Sequence, residues 1–146
     1  IPCCRKYGLD LVVYNPLAGG LFSGKIKSTD LAPTDGRFSD SYIYGKMYRD
    51  RYLNNGNLQA LRIAEKATQK HNLTLLETAL RWVMHHSALN TRPKGGNDGF
   101  VIGVSNFGQL EGNLKDLEKG PLSEDVVEAL EQAWLVAKAT APSYWR

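Results

Sequence analysis

Residues 14–25, YNPLAGGLFSGK, place a proline, three glycines, a serine and a lysine directly after the apolar run LDLVV. The spacing Gly19-x-x-x-x-Gly24-Lys25 matches a phosphate-binding P-loop, but Ile26 stands where that loop needs Ser or Thr, so its Mg²⁺ ligand is missing. What survives is a simpler chemistry. A strand ends, Pro16 fixes the exit, and Gly19 and Gly20 let backbone N–H groups approach an anion, with Ser23 and Lys25 at hand. A flexible linker is the plain alternative. A second concentration is VIGVSNFGQLEGN, in which Ser105 and Asn106 fall where a strand gives way to a helix N-terminus. Free N–H groups and the positive end of the helix dipole favour an anion there too. Gln109 and Asn113 lie one turn apart on one helical face, positioned to hydrogen-bond a ribose or an adenine edge.

Other reactive residue types point to structure. His85 and His86 end a helical pattern, where an imidazole complements the helix dipole. Cys3 and Cys4 are adjacent, which suits two reduced thiols and neither a disulfide framework nor a metal clip. No carboxylate or thiol recurs at ligand spacing, and we expect no metal site.

The elements that must position these residues follow from periodicity and punctuation. IPCCRKYG reads as the last turns of a helix, with Arg5 and Lys6 at its C-terminus and Gly8 in the left-handed position beyond it. LDLVVY and GFVIGVS read as short buried parallel strands. Between them, residues 15–56 form a long polar excursion with a short helix across SYIYGKMYRDRYL. Two helices follow. The first, NLQALRIAEKATQKHN, has an Asn at its start and the face Leu58, Leu61, Ala64 and Ala67. The second, TLLETALRWVMHH, has Thr74 and Glu77 in capping-box spacing and the face Leu76, Ala79, Leu80 and Val83. TRPKGGND is a loop. NFGQLEGNLKDLE should turn Phe107, Leu110, Leu114 and Leu117 inward. PLSEDVVEALEQAWLVAKA should be capped by Ser123 and bury Val127, Leu130, Trp134 and Ala137.

Strands separated by helices mean a parallel α/β fold. Two strands do not make a stable parallel sheet alone, and an opening in mid-helix points the same way, so the expectation is the C-terminal part of a longer domain. A length of 146 residues at 42% hydrophobic allows a real core. The formal charge of +3, from 18 basic and 15 acidic residues spread along the chain, gives no footprint for nucleic acid or an anionic membrane. No apolar run approaches a membrane span, and no signal-peptide pattern opens the chain, so a cytoplasmic location is expected.

YGLDLVVYNPLAGGLFSGK, GRF, MYRDRY, ALRWVMHHSAL, VIGVSNFGQLEGNL and the closing YWR together resemble the C-terminal part of the aldo-keto reductases. The likeness is nearest to the aflatoxin-aldehyde (succinic-semialdehyde) reductase branch, and it runs in order through essentially the whole chain. It implies a (β/α)₈ TIM barrel of which residues 1–146 supply the last two β/α units, without the N-terminal half. A barrel of this kind places its phosphate site at the loops after strands seven and eight. It also implies NADPH-dependent reduction of aldehydes or ketones to alcohols, with a small carbonyl compound as substrate. Neither a nucleic acid nor a membrane would be a partner, and a homodimer stays open for the complete protein.

Carried over residue by residue, the family's cofactor contacts fall on Asn15, Pro16, Leu17, Ala18, Gly19, Gly20, Leu21, Ser23, Gly24 and Lys25, on Arg37, and on Ser105, Asn106, Gln109 and Asn113. Tyr14 would stack on the nicotinamide, while Lys25 and Arg37 would lie over the pyrophosphate. Ser105, Gln109 and Asn113 would hold the 2′-phosphate end. Tyr48, Arg51 and Arg146 match positions facing the substrate, where arginines suit a carboxylate-bearing aldehyde. The family's catalytic Asp, Tyr, Lys and His have no counterpart motif in these residues, so no catalytic residue is assigned. Residues 1–146 alone are expected to be inactive. NTRPKGGND is longer than the usual turn and should alter only the barrel's rim. Two other readings share the resemblance: a non-catalytic cofactor-binding partner like the potassium-channel β subunits, and a truncated remnant. MYRDRY and YWR favour the reductase branch.

Overall fold

A computed structural model describes residues 1–29 and 33–142 of the chain. Arg146 and the rest of the closing SYWR lie outside them, as do residues 30–32 within the polar excursion.

The chain opens with a short helix, α1 (Pro2–Lys6). Gly8 beyond it takes φ +65, and the amides of Gly8 and Leu9 close on the carbonyls of Arg5 and Cys4, as expected of a glycine-terminated helix. Strand β1 (Val12–Tyr14) pairs in parallel with β2 (Gly99–Val101), in the register Val12↔Gly99, Val13↔Phe100 and Tyr14↔Val101. Between them run α2 (Gly45–Tyr52), α3 (Asn55–Gln69) and α4 (Leu75–His85). After β2 come α5 (Phe107–Leu117) and α6 (Glu124–Ala137).

The caps explain why these helices begin where they do. Asn54 accepts from Asn57 N at the start of α3, three residues before the Asn that opens the periodic stretch. Thr74 accepts from Glu77 N at α4. The box is only half closed, because the Glu77 carboxylate turns to Arg81 and Lys119 instead of back to residue 74. Ser123 stands at the N-cap of α6 with no side-chain bond to the helix backbone, so there the expected cap is positional only.

The core lies away from the sheet. Leu21, Phe38, Leu58, Leu61, Ala64 and Leu75 form it, flanked by Tyr48, Tyr52 and Leu130. Leu21, at 3% exposed, belongs to the glycine loop, so burial of its side chain anchors that loop to α3 and α4. Helices α3 and α6 pack along each other, as do α4 and α5.

Several expected faces are corrected. The strands are not buried: Val12 and Tyr14 are each 70% exposed and Val101 56%, while Val13 and Phe100 on the opposite face are half-buried. Alternation of side chains along a strand puts all three exposed residues on one side. Among the described residues nothing covers that side. On α4 the buried set is Leu75, Glu77, Thr78, Ala79 and Leu80, with Leu76 and Val83 half-buried. On α3, Thr68 is buried and Ala67 half-buried. On α6 the buried positions are Val126 and Ala133, one residue behind the expected Val127 and Trp134, and Trp134 is 49% exposed. Val126 and Val127 offer equivalent stripes, so the helix rotates to bring the small Ala133 inward and leave the bulky indole at the surface. On α5, Phe107 and Leu114 are exposed and Asn113 is buried instead.

At the N-terminal ends of the strands, one buried carboxylate ties distant segments together. Asp98 forms a fork with the Arg5 guanidinium and accepts from Leu11 N at 2.7 Å and Asn90 N at 2.6 Å. The Arg5 hydrogen bonds, with those two amides, hold the Asp98 carboxyl well below the usual carboxylate range despite its burial. The loop at residues 90–98 is closed by this cluster, far along the strands from the glycine loop.

Candidate functional site

Because β1 and β2 are parallel and paired through Tyr14 and Val101, both leave the sheet on the same edge. The segments after them, residues 15–24 and 102–106, therefore emerge side by side. This edge, at the strands' carboxyl ends, is where parallel α/β folds put ligands.

The glycine loop is a series of tight turns. Asn15, Ala18, Gly19, Gly20 and Gly24 all have positive φ, from +49 to +106, and residues Ala18–Ser23 wind as two 3₁₀ turns kinked at the two glycines. Their amides are spent inside the loop. Gly19 N donates to Asn15 Oδ1 at 2.7 Å, Gly20 N to Leu17 O at 2.9 Å and Gly24 N to Leu21 O at 3.4 Å. The expectation that Gly19 and Gly20 turn their N–H groups to an anion is thereby corrected: closing consecutive turns consumes those donors. Glycine serves here for backbone shape, and the charge complement must come from side chains. Ser23 and Lys25 are exposed at the loop's far end.

Arg37 and Tyr48, 11 residues apart, meet over this loop. Arg37 Nη1 donates to Tyr48 Oη at 3.1 Å, and its guanidinium carbon lies 5.8 Å from the ring centroid. The Tyr48 ring occupies the space a side chain at Gly19 would need: an ideal Cβ there falls 2.6 Å from Tyr48 Cδ1. In the segment after β2, a Cβ at Gly103 would lie 3.3 Å from Arg37 Nη2. Through Tyr48, which packs on Gly19, Arg37 links the glycine loop to the segment after β2. Phe38, Tyr42 and Tyr52 hold the Tyr48 ring, with centroids 5.8, 6.2 and 6.0 Å away.

The start of α5 satisfies itself in part. Asn106 Oδ1 accepts from Gln109 N at 2.9 Å, and Gln109 Oε1 accepts from Ser105 N at 2.9 Å. The expected pairing of Gln109 with Asn113 on one ligand-facing side does not form, since Gln109 is exposed while Asn113 is 4% exposed on the packed face. Ser105 and Asn106 remain at the exposed helix N-terminus, beside the end of β2.

The structure therefore brings together Asn15, Pro16, Leu17, Ala18, Gly19, Gly20, Arg37 and Tyr48, with Ser105 and Asn106 on the neighbouring strand end. Tyr14 presents its exposed ring at the same edge. Arg51 borders a shallow depression with Ile43, Tyr44, Met47 and Pro142; its guanidinium carbon lies 6.0 Å from the Tyr52 ring centroid, and its Nε is buried without a hydrogen-bond partner among the described residues. Arg146 lies outside the described residues.

His85 and His86 are structural, by a different route from the one expected. Arg81 and the two histidines clamp the chain at residues 119–122: Arg81 donates to Gly120 O and Pro121 O, and His85 Nε2 lies 3.0 Å from Lys119 O. His86 Nε2 accepts from Leu122 N at 2.9 Å, which requires a neutral ring. Burial lowers its pKa, helped by His85, Arg81 and Lys94. It is an acceptor and not a cation on the dipole. Among the described residues no group of His, Cys, Asp and Glu is placed to hold a metal, and no helix is long and apolar enough to cross a membrane.

Tyr52, Phe38 and Gly103 were not singled out by sequence reasoning. A signal existed for Tyr52, since Tyr48 and Tyr52 in MYRDRY stand at i, i+4 and so share a helix face.

Comparison with known proteins gives this geometry its context. The profile of the Aldo/keto reductase family matches residues 1–135. An aldo-keto reductase of Pseudocercospora fijiensis is 42% identical over 145 residues, covering 99% of this chain and 48% of that protein. Aflatoxin B1 aldehyde reductase member 2 of Mus musculus is 39% identical over 155 residues, covering all of this chain and 40% of that protein. Its Homo sapiens namesake is 37% identical, with 99% and 41% covered. The chain thus spans rather less than half the length of these relatives, whose family folds as a (β/α)₈ barrel. It belongs to the aldo/keto reductase family, in the aflatoxin-aldehyde reductase branch.

Proposed function

We propose that residues 1–146 supply the dinucleotide-binding edge of an NADPH-dependent reductase that converts aldehydes or ketones to alcohols, with β1 and β2 as the last two strands of its barrel. The observation that carries this is the meeting of Arg37, Tyr48 and the left-handed turn at residues 15–20, with Arg37 reaching Gly103 in the segment after β2, at the carboxyl ends of two paired parallel strands. The donor set fits a dinucleotide through its side chains. Arg37 spends one of its five N–H donors on Tyr48 and is otherwise exposed, Lys25 is exposed, and Ser105 and Asn106 sit at a helix N-terminus. Gly20 contributes room, since nothing lies within 4 Å of the place a Cβ would take.

NADPH, when bound, supplies the hydride. This chain's residues then bind and orient. Lys25 and Arg37 balance phosphate charge, Arg37 under the control of Tyr48. Tyr14 offers an aromatic face at the strand end. Ser105 and Asn106 present hydroxyl and amide groups at the positive end of α5. The proton for the carbonyl oxygen comes from a group outside these residues, since the family's catalytic Asp, Tyr, Lys and His have no counterpart motif among them. We accordingly propose that the chain alone binds NADPH and turns over no carbonyl compound. The setting is cytoplasmic, in keeping with the two free thiols at Cys3 and Cys4.

The experiment is an NADPH fluorescence titration of the purified chain, paired with an absorbance assay on an aromatic aldehyde. Saturable binding with no turnover supports the reading. Absence of binding refutes the site, and turnover above background refutes the division of labour.

A further inference from the structure

Asn15 holds a conformation few residues tolerate, with φ +62, and the turn it begins has to be kept in shape by something. Its side chain does part of this, accepting from Gly19 N at 2.7 Å. A backbone N–H can only donate, so the Asn15 atom facing Gly19 is its carbonyl oxygen. The other end of the amide is then an NH₂, which also only donates. That end lies 2.7 Å from Tyr52 Oη, so the phenol oxygen is the acceptor; a flipped amide would set its NH₂ against the Gly19 N–H, which fixes this orientation.

Tyr52 is well placed to act as a fixed post. It ends α2, where Leu53 N bonds Arg49 O and Asn57 Nδ2 bonds Tyr52 O at 2.9 Å, tying α2 to the first turn of α3. Its ring packs on the core and lies 6.3 Å from Phe38 and 6.0 Å from Tyr48. A rigid helix end thus holds an amide, and the amide holds the loop.

We propose that Tyr52 is a positioning residue of the dinucleotide site, ordering the turn at residues 15–19 through Asn15. The proposal rests on the NADPH reading above for its consequence, though not for its geometry. Tyr52 touches no part of the ligand. It keeps the turn in the binding-competent shape before the ligand arrives, so its loss weakens binding by lowering the population of that shape. Tyr48 performs the matching task for Arg37, which makes one face of α2 the support for both halves of the loop.

The test uses Tyr52→Phe, which keeps the ring and its packing, and Asn15→Gly, which removes the side chain while remaining compatible with a positive φ. Two readouts are taken: amide hydrogen exchange at Gly19, and the NADP⁺ dissociation constant. Loss of one hydrogen bond predicts exchange at Gly19 about fivefold faster in Tyr52→Phe, and NADP⁺ binding about fivefold weaker, with amides in the interior of α3 unchanged. Because Tyr52 acts through Asn15, the double variant should be no worse than Asn15→Gly alone. Unchanged Gly19 exchange in Tyr52→Phe, or additive effects in the double variant, overturns the proposal. Failure of the unaltered chain to bind NADP⁺ overturns the dinucleotide reading, and the exchange measurement still decides whether Tyr52 orders the turn.

Discussion

Gly19→Ala separates what the glycine loop needs from glycine as a backbone from what it needs as empty space. The backbone part is the left-handed conformation at φ +71, which costs an L-residue about 1–2 kcal/mol. A less flexible unfolded chain returns about 0.4–1 kcal/mol of that. The space part is the Tyr48 ring, 2.6 Å at Cδ1 from the new Cβ, closer than real Cβ atoms come to neighbours. The ring cannot swing freely, being wedged among Phe38, Tyr42 and Tyr52. Moving it forfeits the Arg37 hydrogen bond, about 1 kcal/mol, and part of its edge-on contact with Phe38, about 0.5–1.5 kcal/mol. The total is a loss of about 2–4 kcal/mol. Gly36→Ala is the control: φ is +77, but nothing lies within 4 Å, so it should lose only the backbone part, about 1 kcal/mol. Urea denaturation followed by circular dichroism measures both. Equal losses at the two glycines would refute the argument. So would a Gly19→Ala cost that stays large in a Tyr48→Ala background, where the space is free.

Acid provides two further tests. Asp98 is held below its unfolded-state pKa by Arg5 and two amides, so its contribution is complete above about pH 4 and is lost as pH falls below that value. Urea midpoints should drop through this range, and Asp98→Asn should be less stable at pH 7 with a shallower acid slope; parallel slopes would sink the idea. For His86 the folded-state pKa is also lowered, so the unfolded chain binds the proton first, and stability present above about pH 6.5 is lost as pH falls. The imidazolium cannot accept from Leu122 N–H, whereas His86→Gln keeps an acceptor at every pH. The variant should therefore lose less melting temperature than the unaltered chain between pH 7 and pH 5, and an identical loss in both would show that the bond is not the sensor.

Local chemistry was legible, and relations between distant segments were not. Thr74, Gly8 and the parallel pairing of LDLVVY with GFVIGVS could be read because each depends on neighbours in sequence or on the strand–helix–strand order. The face of α6 was misread by one position and that of α5 in Phe107 and Leu114, while on α4 Ala79 and Leu80 are buried as expected and Leu76 and Val83 only half-buried. Periodicity defines a stripe only up to the partner that selects it, and α6 carries two adjacent valines that would both serve. Asp98 gave no signal at all. It looks like a turn residue in GGND, and its role comes from Arg5, Leu11 and Asn90 arriving from three other segments.

The site shows the same division more sharply. Composition marked YNPLAGGLFSGK as special, and the resemblance gave Arg37 to a pyrophosphate and Tyr48 to a substrate, as separate assignments. The structure couples them, and it moves the loop's amides from ligand binding to turn closure. A loop whose donors are internally satisfied is ordered before any ligand arrives, so little ordering entropy remains to be lost on binding. The cost is that recognition passes to a few long side chains, and these need their own supports. MYRDRY supplies them: Tyr48 steadies a cation and Tyr52 steadies a turn, from one face of one helix. What reads in sequence as an arginine- and tyrosine-rich patch for a substrate also supports the loop before it, with Tyr52 reaching back 37 residues to Asn15 and Tyr48 packing on Gly19.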